Sequence, residues 1–171
     1  MRSARAWLAL AASIAVLDQL TKYAVMRTFA LGEALVLTPF LNLVLVYNPG
    51  AAFSFLSDQA GWQRWFFICI ALAASAWIVY LLFKHSRERL FALALSLVLA
   101  GAVGNVIDRI LFGAVVDFAD FHAWGYHWPA FNVADTAITF GAVLLIWDAL
   151  FPRRDGSLDA EGQRRAGGVA E

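Results

Sequence analysis

Polar side chains at helical spacing interrupt otherwise apolar stretches of this 171-residue chain. Asp18 and Lys22 are four residues apart, and they therefore share one face of an α-helix. Asn105, Asp108 and Arg109 form a second such group, at intervals of three and four. Ionisable groups are costly in apolar surroundings, so each is a candidate for binding or catalysis. The structural alternatives are a local ion pair for the first group and interface anchoring for Arg109.

Two further acids lie in an apolar stretch and at the start of a helix. Asp117 lies inside Val115–Phe118, and Asp135 follows Asn132, a residue type typical of helix N-caps, by three positions. The structural alternatives are a solvated loop acid at Asp117 and an acid that complements the helix dipole at Asp135. Asn48 starts an Asn-Pro-Gly turn signal and completes this set of candidates.

Carboxylates gathered in a low-dielectric site point to acid–base hydrolysis. They cannot all ionise cheaply, so at least one should have a raised pKa. Two acids that share a proton form an aspartic dyad. One carboxylate then activates a water as general base, while its protonated partner serves as general acid. Sequence spacing alone does not determine which two acids lie close enough.

Other chemistries fit the sequence less well. His122 and His127 are five residues apart with Asp120 nearby, but a metal site wants three or more ligands at a defined spacing. Cys69, the single cysteine, has no ionisable neighbour and is expected to pack against other apolar groups. A metal site is therefore kept only as an alternative.

Membrane helices must position these candidates. Hydrophobic residues make up 61% of the chain and charged residues 15%, with a formal net charge of zero. This composition excludes a disordered chain, and no basic excess indicates nucleic-acid binding. The apolar runs approach the roughly 20 residues that a bilayer core requires. They predict four transmembrane helices, at 6–26, 63–83, 89–107 and 132–151.

Basic residues give these helices a direction. Most Lys and Arg lie in the two tails and in the loop between the second and third helices. The positive-inside rule then places both termini in the cytoplasm and the connections 27–61 and 108–131 outside. A cleaved signal peptide is the alternative for the first helix, although an A-x-A-like site does not follow its apolar run. The polar tail, 153–171, is expected to be disordered.

The two outer connections also carry structure. Glu33–Tyr47 is typical of two short strands, the second near Leu41–Tyr47. The connection 108–131 is rich in aromatic residues, which favour the interface between water and lipid. The topology brings all the candidate residues to this outer face.

At these residues the chain resembles lipoprotein signal peptidase, the signal peptidase II family of membrane aspartic proteases. Five segments match the motifs of the family in order, from the first helix to the fourth. The segments are Asp18–Lys22, Asn48–Phe53, Gly101–Arg109, Val115–Phe118 and Phe131–Ile138. Ala100 departs from the family, which usually has a glycine there.

The resemblance implies a mainly α-helical fold, with a single membrane-embedded domain over residues 1–152. Its four helices would be joined by a small extracytoplasmic β-cradle and by a short interfacial helix from the aromatic connection. The implied activity is removal of signal peptides from diacylglyceryl-modified prolipoproteins, on the amino side of the lipidated cysteine. The site would face the periplasm from the bacterial inner membrane. The implied partners are the substrates and membrane lipid, with a monomeric enzyme and no metal or organic cofactor.

The resemblance also assigns residues. Asp117 and Asp135 fall on the two catalytic positions, and Asn132 is expected to orient them. Arg109 and Asn48 are expected to grip the peptide backbone of the substrate. The other matched positions, which line or support the site, are Asp18, Lys22, Asn105 and Asp108.

Two other functions are compatible with acids in membrane helices. An ion-coupled transporter would place its acids near mid-membrane and show internal repeats, neither of which is seen in the sequence. A non-catalytic scaffold would use polar residues only to join helices and would not need several acids on one face. Both are kept as alternatives to the protease.

Overall fold

The computed structural model describes residues 3–50 and 61–151, and it contains four long helices there. All four are long and apolar enough to cross a membrane, as the sequence predicts. Their ends lie within two residues of the predicted spans, except that α3 continues five residues further. The predicted tail, 153–171, lies outside the described residues. The helices are α1 (Ala4–Thr28), α2 (Trp62–Lys84), α3 (Arg89–Phe112) and α4 (Val133–Leu150).

Helix α3 extends past its predicted end because its polar residues face other helices and are buried there. Asp108 is only 1% exposed and Arg109 only 9%. The helix ends at Gly113, whose φ of 80° is the left-handed conformation that glycine commonly supplies after a helix. A charge therefore does not end a helix when a partner lies within the protein.

Helix α3 is also the centre of the bundle, and it packs against α1, α2 and α4. Near its inner end, Leu95 and Leu99 join Trp7 and Leu82 in the hydrophobic core. The indole of Trp7 donates a hydrogen bond of 3.0 Å to the carbonyl of Ser86, which fastens α1 to the loop between α2 and α3.

Two glycines of α3 allow close approach of its neighbours at the end of the bundle where α1 and α3 end and α4 begins, which is named the outer end after the sequence prediction. A Cβ atom on Gly101 would collide with the carbonyl of Ala134 and with Ile138 of α4. A Cβ atom on Gly104 would lie 2.6 Å from an Asp18 carboxylate oxygen on α1. The small residues thus let three helix backbones meet where the polar groups are.

A four-stranded antiparallel sheet follows the outer ends of the helices, in the order β1-β2-β3-β4. Both strands predicted in the first outer connection are confirmed. Val116 of β3 packs with Leu45 of β2 and with Val25 near the end of α1, which fixes the sheet on the bundle. The strands are β1 (Ala34–Thr38), β2 (Leu41–Asn48), β3 (Val115–Ala123) and β4 (Tyr126–His127).

The short interfacial helix expected from the aromatic connection is not formed in residues 115–131, which fold as β3 and β4 instead. The two strands pair His122 with His127 and Ala123 with Tyr126, which leaves a two-residue turn. Both turn residues have positive φ, 50° at Trp124 and 82° at Gly125, as a type I′ hairpin turn requires. Aromatic residues favour β-strands as well as membrane interfaces, so the aromatic composition of this connection does not distinguish a strand from an interfacial helix.

Replacing Gly101 by alanine tests the helix contact. The added methyl group would push α4 away from α3, because it meets backbone atoms that cannot rotate aside. We expect Gly101→Ala to lower the free energy of unfolding by about 1–3 kcal/mol, the usual range for overpacking. Thermal unfolding in detergent measures the change. Leu111→Ala, on the lipid-exposed side of the same helix, is the control, and an equal loss in both variants would contradict the close-contact explanation.

Candidate active site

A buried lysine joins two helices at the outer end of the bundle. Lys22 is 1% exposed, and its ammonium lies 2.8 Å from the Asp18 carboxylate and 2.7 Å from that of Asp108. It also donates a hydrogen bond of 3.1 Å to the side-chain oxygen of Asn105. All three protons of the ammonium thus have acceptors. The contact with Asp18 is therefore more than a local ion pair, because it continues to α3.

The start of α4 is held by side chains from α1 and from its own first turn. Asp18 accepts a hydrogen bond of 2.8 Å from the backbone N–H of Ala134. Asn132 is the N-cap, and its side-chain oxygen accepts from the N–H of Asp135 at 2.9 Å. These bonds satisfy two of the amides that a helix start leaves free. The backbone of Asp135 is fixed as a result.

Gln19 belongs to the same network, although the sequence interpretation assigned it no role. Its side-chain amide donates to an oxygen of Asp108 at 2.9 Å and to the carbonyl of Gly104 at 3.2 Å. The other oxygen of Asp108 accepts from the N–H of Val116 at 3.1 Å, which ties β3 to α3. The only signal for Gln19 in the sequence was its position between Asp18 and Lys22.

Two asparagines hold the carboxylate of Asp117. Asn132 donates to one oxygen at 2.7 Å, and Asn48 donates to the other at 3.2 Å. Asn48 also accepts a bond of 3.0 Å from the N–H of Gly50, which closes the predicted turn. Asp117 is only 2% exposed, so it is not the solvated loop acid of the structural alternative.

Asn105 connects the second acid to the same cluster. Its amide donates to Asp135 at 2.8 Å, while its oxygen accepts from Lys22 and, at 3.5 Å, from Asn132. Asn132 therefore contacts the side chain of Asp117 and the backbone of Asp135. The two acids that the resemblance named are joined through these amides in one site.

The surroundings of Asp117 favour its protonated form. Burial and, secondarily, the nearby charge of Asp135 raise the pKa of Asp117 to about 7. The hydrogen bonds from Asn48 and Asn132 and the charge of Lys22 oppose this shift but do not cancel it. A carboxyl group that stays protonated near neutral pH can act as a general acid.

Arg109 points into the protein. It donates to the carbonyl of Gly50 at 2.8 Å and to that of Asn105 at 3.4 Å. Its guanidinium carbon lies 5.1 Å from the ring centroid of Phe67, within the range of a cation–π interaction. Its Nε atom is buried without a hydrogen-bond partner among the described residues. These contacts do not fit the alternative of interface anchoring.

A cavity of about 610 Å³ lies beside the network, between α2, α3 and α4. Asp135, Arg109 and Asn48 are on its polar side. Its other walls are largely apolar and include Phe67 of α2 and Ile138 of α4. Asp135 is partly exposed, whereas Asp117 is buried. The cavity offers space for an apolar segment next to a pair of acids.

The histidines form a separate group on the sheet. His127 lies 2.9 Å from Asp120 and stacks on His122 with ring centroids 5.0 Å apart. Asn42 donates to the same carboxylate at 2.9 Å. Within residues 3–50 and 61–151, no three His, Cys, Asp or Glu side chains are grouped to hold a metal ion.

Comparison with known proteins gives consistent results. A family model described as signal peptidase (SPase) II matches residues 10–151. The lipoprotein signal peptidase of Cupriavidus necator is 60% identical over 144 residues, which cover 84% of this chain and 82% of that protein. The lipoprotein signal peptidase of Janthinobacterium sp. is 57% identical over the same length, with 84% and 87% covered.

A solved structure is also similar. It is a bacterial membrane enzyme determined by the in meso method at 2.3 Å resolution. The TM-score is 0.75 at 35% sequence identity, and the match covers 88% of this chain and 93% of the other. The likeness therefore includes the helices and the sheet.

Removing the buried ammonium tests the network. Lys22→Met would leave Asp18 and Asp108 facing each other without a cation, and breaking a buried ion pair in this way typically costs about 3–5 kcal/mol. We expect a loss of that size in the free energy of unfolding, measured in detergent. The exposed Lys84, at the end of α2, provides the control Lys84→Met. A loss no larger in Lys22→Met than in this control would show that the ion pairs do not hold the bundle.

Proposed function

The chain belongs to the signal peptidase II family, and we propose that Asp117 and Asp135 are the catalytic pair with which it hydrolyses its substrates. It is an aspartic endopeptidase that removes signal peptides from prolipoproteins during lipoprotein maturation. The transporter and scaffold alternatives have no support among its relatives.

The observation that supports the proposed pair is the set of hydrogen bonds by which Asn132 and Asn105 link the two acids. Asn132 donates to the carboxylate of Asp117 while it caps the helix turn that bears Asp135. Asn105 holds the Asp135 carboxylate from the other side. Two carboxylates fixed in one low-dielectric site favour a single shared proton, which is the resting state that an aspartic dyad requires.

The different exposures of the two acids suggest their roles. Asp135 lines the cavity, so its ionised carboxylate can accept a proton from a water that attacks the scissile carbonyl carbon. Asp117, protonated and buried, donates its proton to the carbonyl oxygen, giving a tetrahedral diol. Asp135 then passes its proton to the amide nitrogen as the C–N bond breaks. The diol returns a proton to Asp117, which restores the starting state.

The lining and position of the cavity support the proposal that the substrate is anchored to lipid. Its apolar walls suit the signal-peptide segment before the cleavage site, and the diacylglyceryl group would stay in the surrounding bilayer. Helices α2 and α4 both pack mainly on α3, and the space between them offers a path from the membrane. Arg109 lines this space, and its guanidinium has more donors than the two it gives to the carbonyls of Gly50 and Asn105, so we assign it a grip on a substrate carbonyl.

We further propose an orientation in the bacterial inner membrane. The loop between α2 and α3 lies at the opposite end of the bundle from the site, and Lys84, Arg87 and Arg89 lie in or directly beside it. The positive-inside rule places that end in the cytoplasm, with both termini, and the site at the periplasmic face. Residues 1–152 would act as one domain in contact with membrane lipid. We also propose a monomeric enzyme, because Asn48, Asn105 and Asn132 link the two acids within one chain.

Isosteric removal of each charge tests the catalytic pair. We expect Asp117→Asn and Asp135→Asn each to lower the rate by at least about 100-fold, because each loses a proton donor or acceptor. The assay is cleavage of a diacylglyceryl-modified prolipoprotein by purified enzyme in detergent. Asp148→Asn, on the same helix but at its inner end, is the control. Normal processing by a folded variant of either acid would exclude that residue from catalysis.

The pH dependence tests the proton assignment. Because the pKa of Asp117 is raised to about 7, its protonated form should be lost above that pH. We expect kcat/KM to fall about tenfold per pH unit on the alkaline side of pH 7. In Asn48→Ala the ionised form loses a hydrogen bond, so the pKa of Asp117 rises further and the fall should begin at higher pH. An alkaline limb that stays in place in this variant would argue against Asp117 as the acid.

A further inference from the structure

A threonine hydroxyl in the cavity has no role in the mechanism described so far. Thr139 lies on α4 one turn after Asp135, so the two side chains share a helix face, and both line the cavity. Within residues 3–50 and 61–151, the Thr139 hydroxyl makes no hydrogen bond. Such a hydroxyl is available to a bound molecule.

The other threonines of the transmembrane helices behave differently. Thr21, Thr28 and Thr136 each donate to the carbonyl four residues earlier, at 3.1, 2.8 and 2.9 Å. This bond to the preceding turn is the usual way to satisfy a hydroxyl inside a helix. Thr139 departs from this pattern: it lines the cavity, as Thr136 does, but its hydroxyl makes no bond to the preceding turn of α4.

The Thr139 side chain is exposed in the structure, and a bound apolar segment that covered its hydroxyl without accepting a hydrogen bond would lose about 1–3 kcal/mol. Arg109, on α3, lines the same cavity. Two side chains that carry hydrogen-bond donors, on α3 and α4, thus line one largely apolar space. The ligand that complements them carries acceptors along an otherwise apolar surface.

A peptide backbone beside a cleavage site has this character. Its scissile bond must leave the helical conformation to be attacked, and its carbonyls then lack donors inside a membrane. We propose that the Thr139 hydroxyl donates a hydrogen bond to a backbone carbonyl of the signal peptide on the amino side of the scissile bond. The assignment rests on the proposed function of the site and adds a substrate-binding residue to it.

For an extended peptide that runs alongside α4, helix geometry indicates which carbonyl this is. Four residues of α-helix rise about 6 Å, so Thr139 lies about 6 Å further along α4 than Asp135. An extended peptide advances about 3.3 Å per residue. The bonded carbonyl is therefore about two residues before the cleavage point. Thr139 is thus a substrate-binding position for the backbone of the last residues of the signal peptide.

Steady-state cleavage of a diacylglyceryl-modified prolipoprotein tests the assignment. Thr139→Val keeps the shape of the side chain but removes the hydroxyl, and we expect KM to rise roughly three- to tenfold, the value of one neutral hydrogen bond. The kcat value should stay within about twofold, since the dyad is untouched. Thr139→Ser restores the hydroxyl and should restore KM.

The control is Thr28→Val, whose hydroxyl is already bonded to its own helix, and its KM should equal that of the unmodified enzyme. An unchanged KM in Thr139→Val overturns the assignment. So does a KM raised equally in the valine and serine variants, because the serine variant keeps the hydroxyl and should bind as the unmodified enzyme does. Either result leaves the proposed catalytic pair intact, since that pair fails only if an Asp117→Asn or Asp135→Asn enzyme remains active.

Discussion

A buried ammonium at the outer end of the bundle is the constraint on which the site depends. Removing a lysine from water costs several kcal/mol unless anions and hydrogen bonds replace the water. Lys22 meets this requirement with Asp18 on its own helix and Asp108 on α3. Asp18 also accepts a hydrogen bond from Ala134 in the first turn of α4. These buried polar groups therefore all find partners only when the three helices lie in one relative position. The charge cluster thus fixes the relative position of the three helices at the outer end of the bundle.

Asparagine side chains connect this ion cluster to the two acids of the proposed pair. An asparagine has donors and an acceptor on one short side chain, so it can join an acid to another polar group without adding charge. Asn105 uses its oxygen for Lys22 and its nitrogen for Asp135. Asn132 does the same between the backbone of Asp135 and the carboxylate of Asp117. The ion cluster thus positions the two acids through these amides, while the ammonium of Lys22 pairs with Asp18 and Asp108 instead.

Much of this arrangement follows from local sequence, and the rest depends on distant contacts. Apolar runs define the four spans because a bilayer core requires a fixed length, and helical spacing places Asp18 beside Lys22. The partnership of Asp117 with Asp135 could not be read from spacing, because it depends on the register of β3 against β2 and on the cap of α4. The role of Gln19 arises only when α1 and α3 meet at Gly104. The Trp124–Gly125 turn was missed because its type is set by backbone angles that aromatic composition does not specify.

Hydrolysis within a membrane needs water and an apolar substrate at the same place, and the two acids divide this requirement. Asp135 lies at the boundary, with the polar network on one side and the wall formed with Phe67 and Ile138 on the other. Asp117 lies behind it, where burial favours the retention of a proton. Exchanging these exposures would place the ionised carboxylate where water cannot reach it. The difference in burial between two chemically identical side chains is therefore what gives each of them a distinct proposed role.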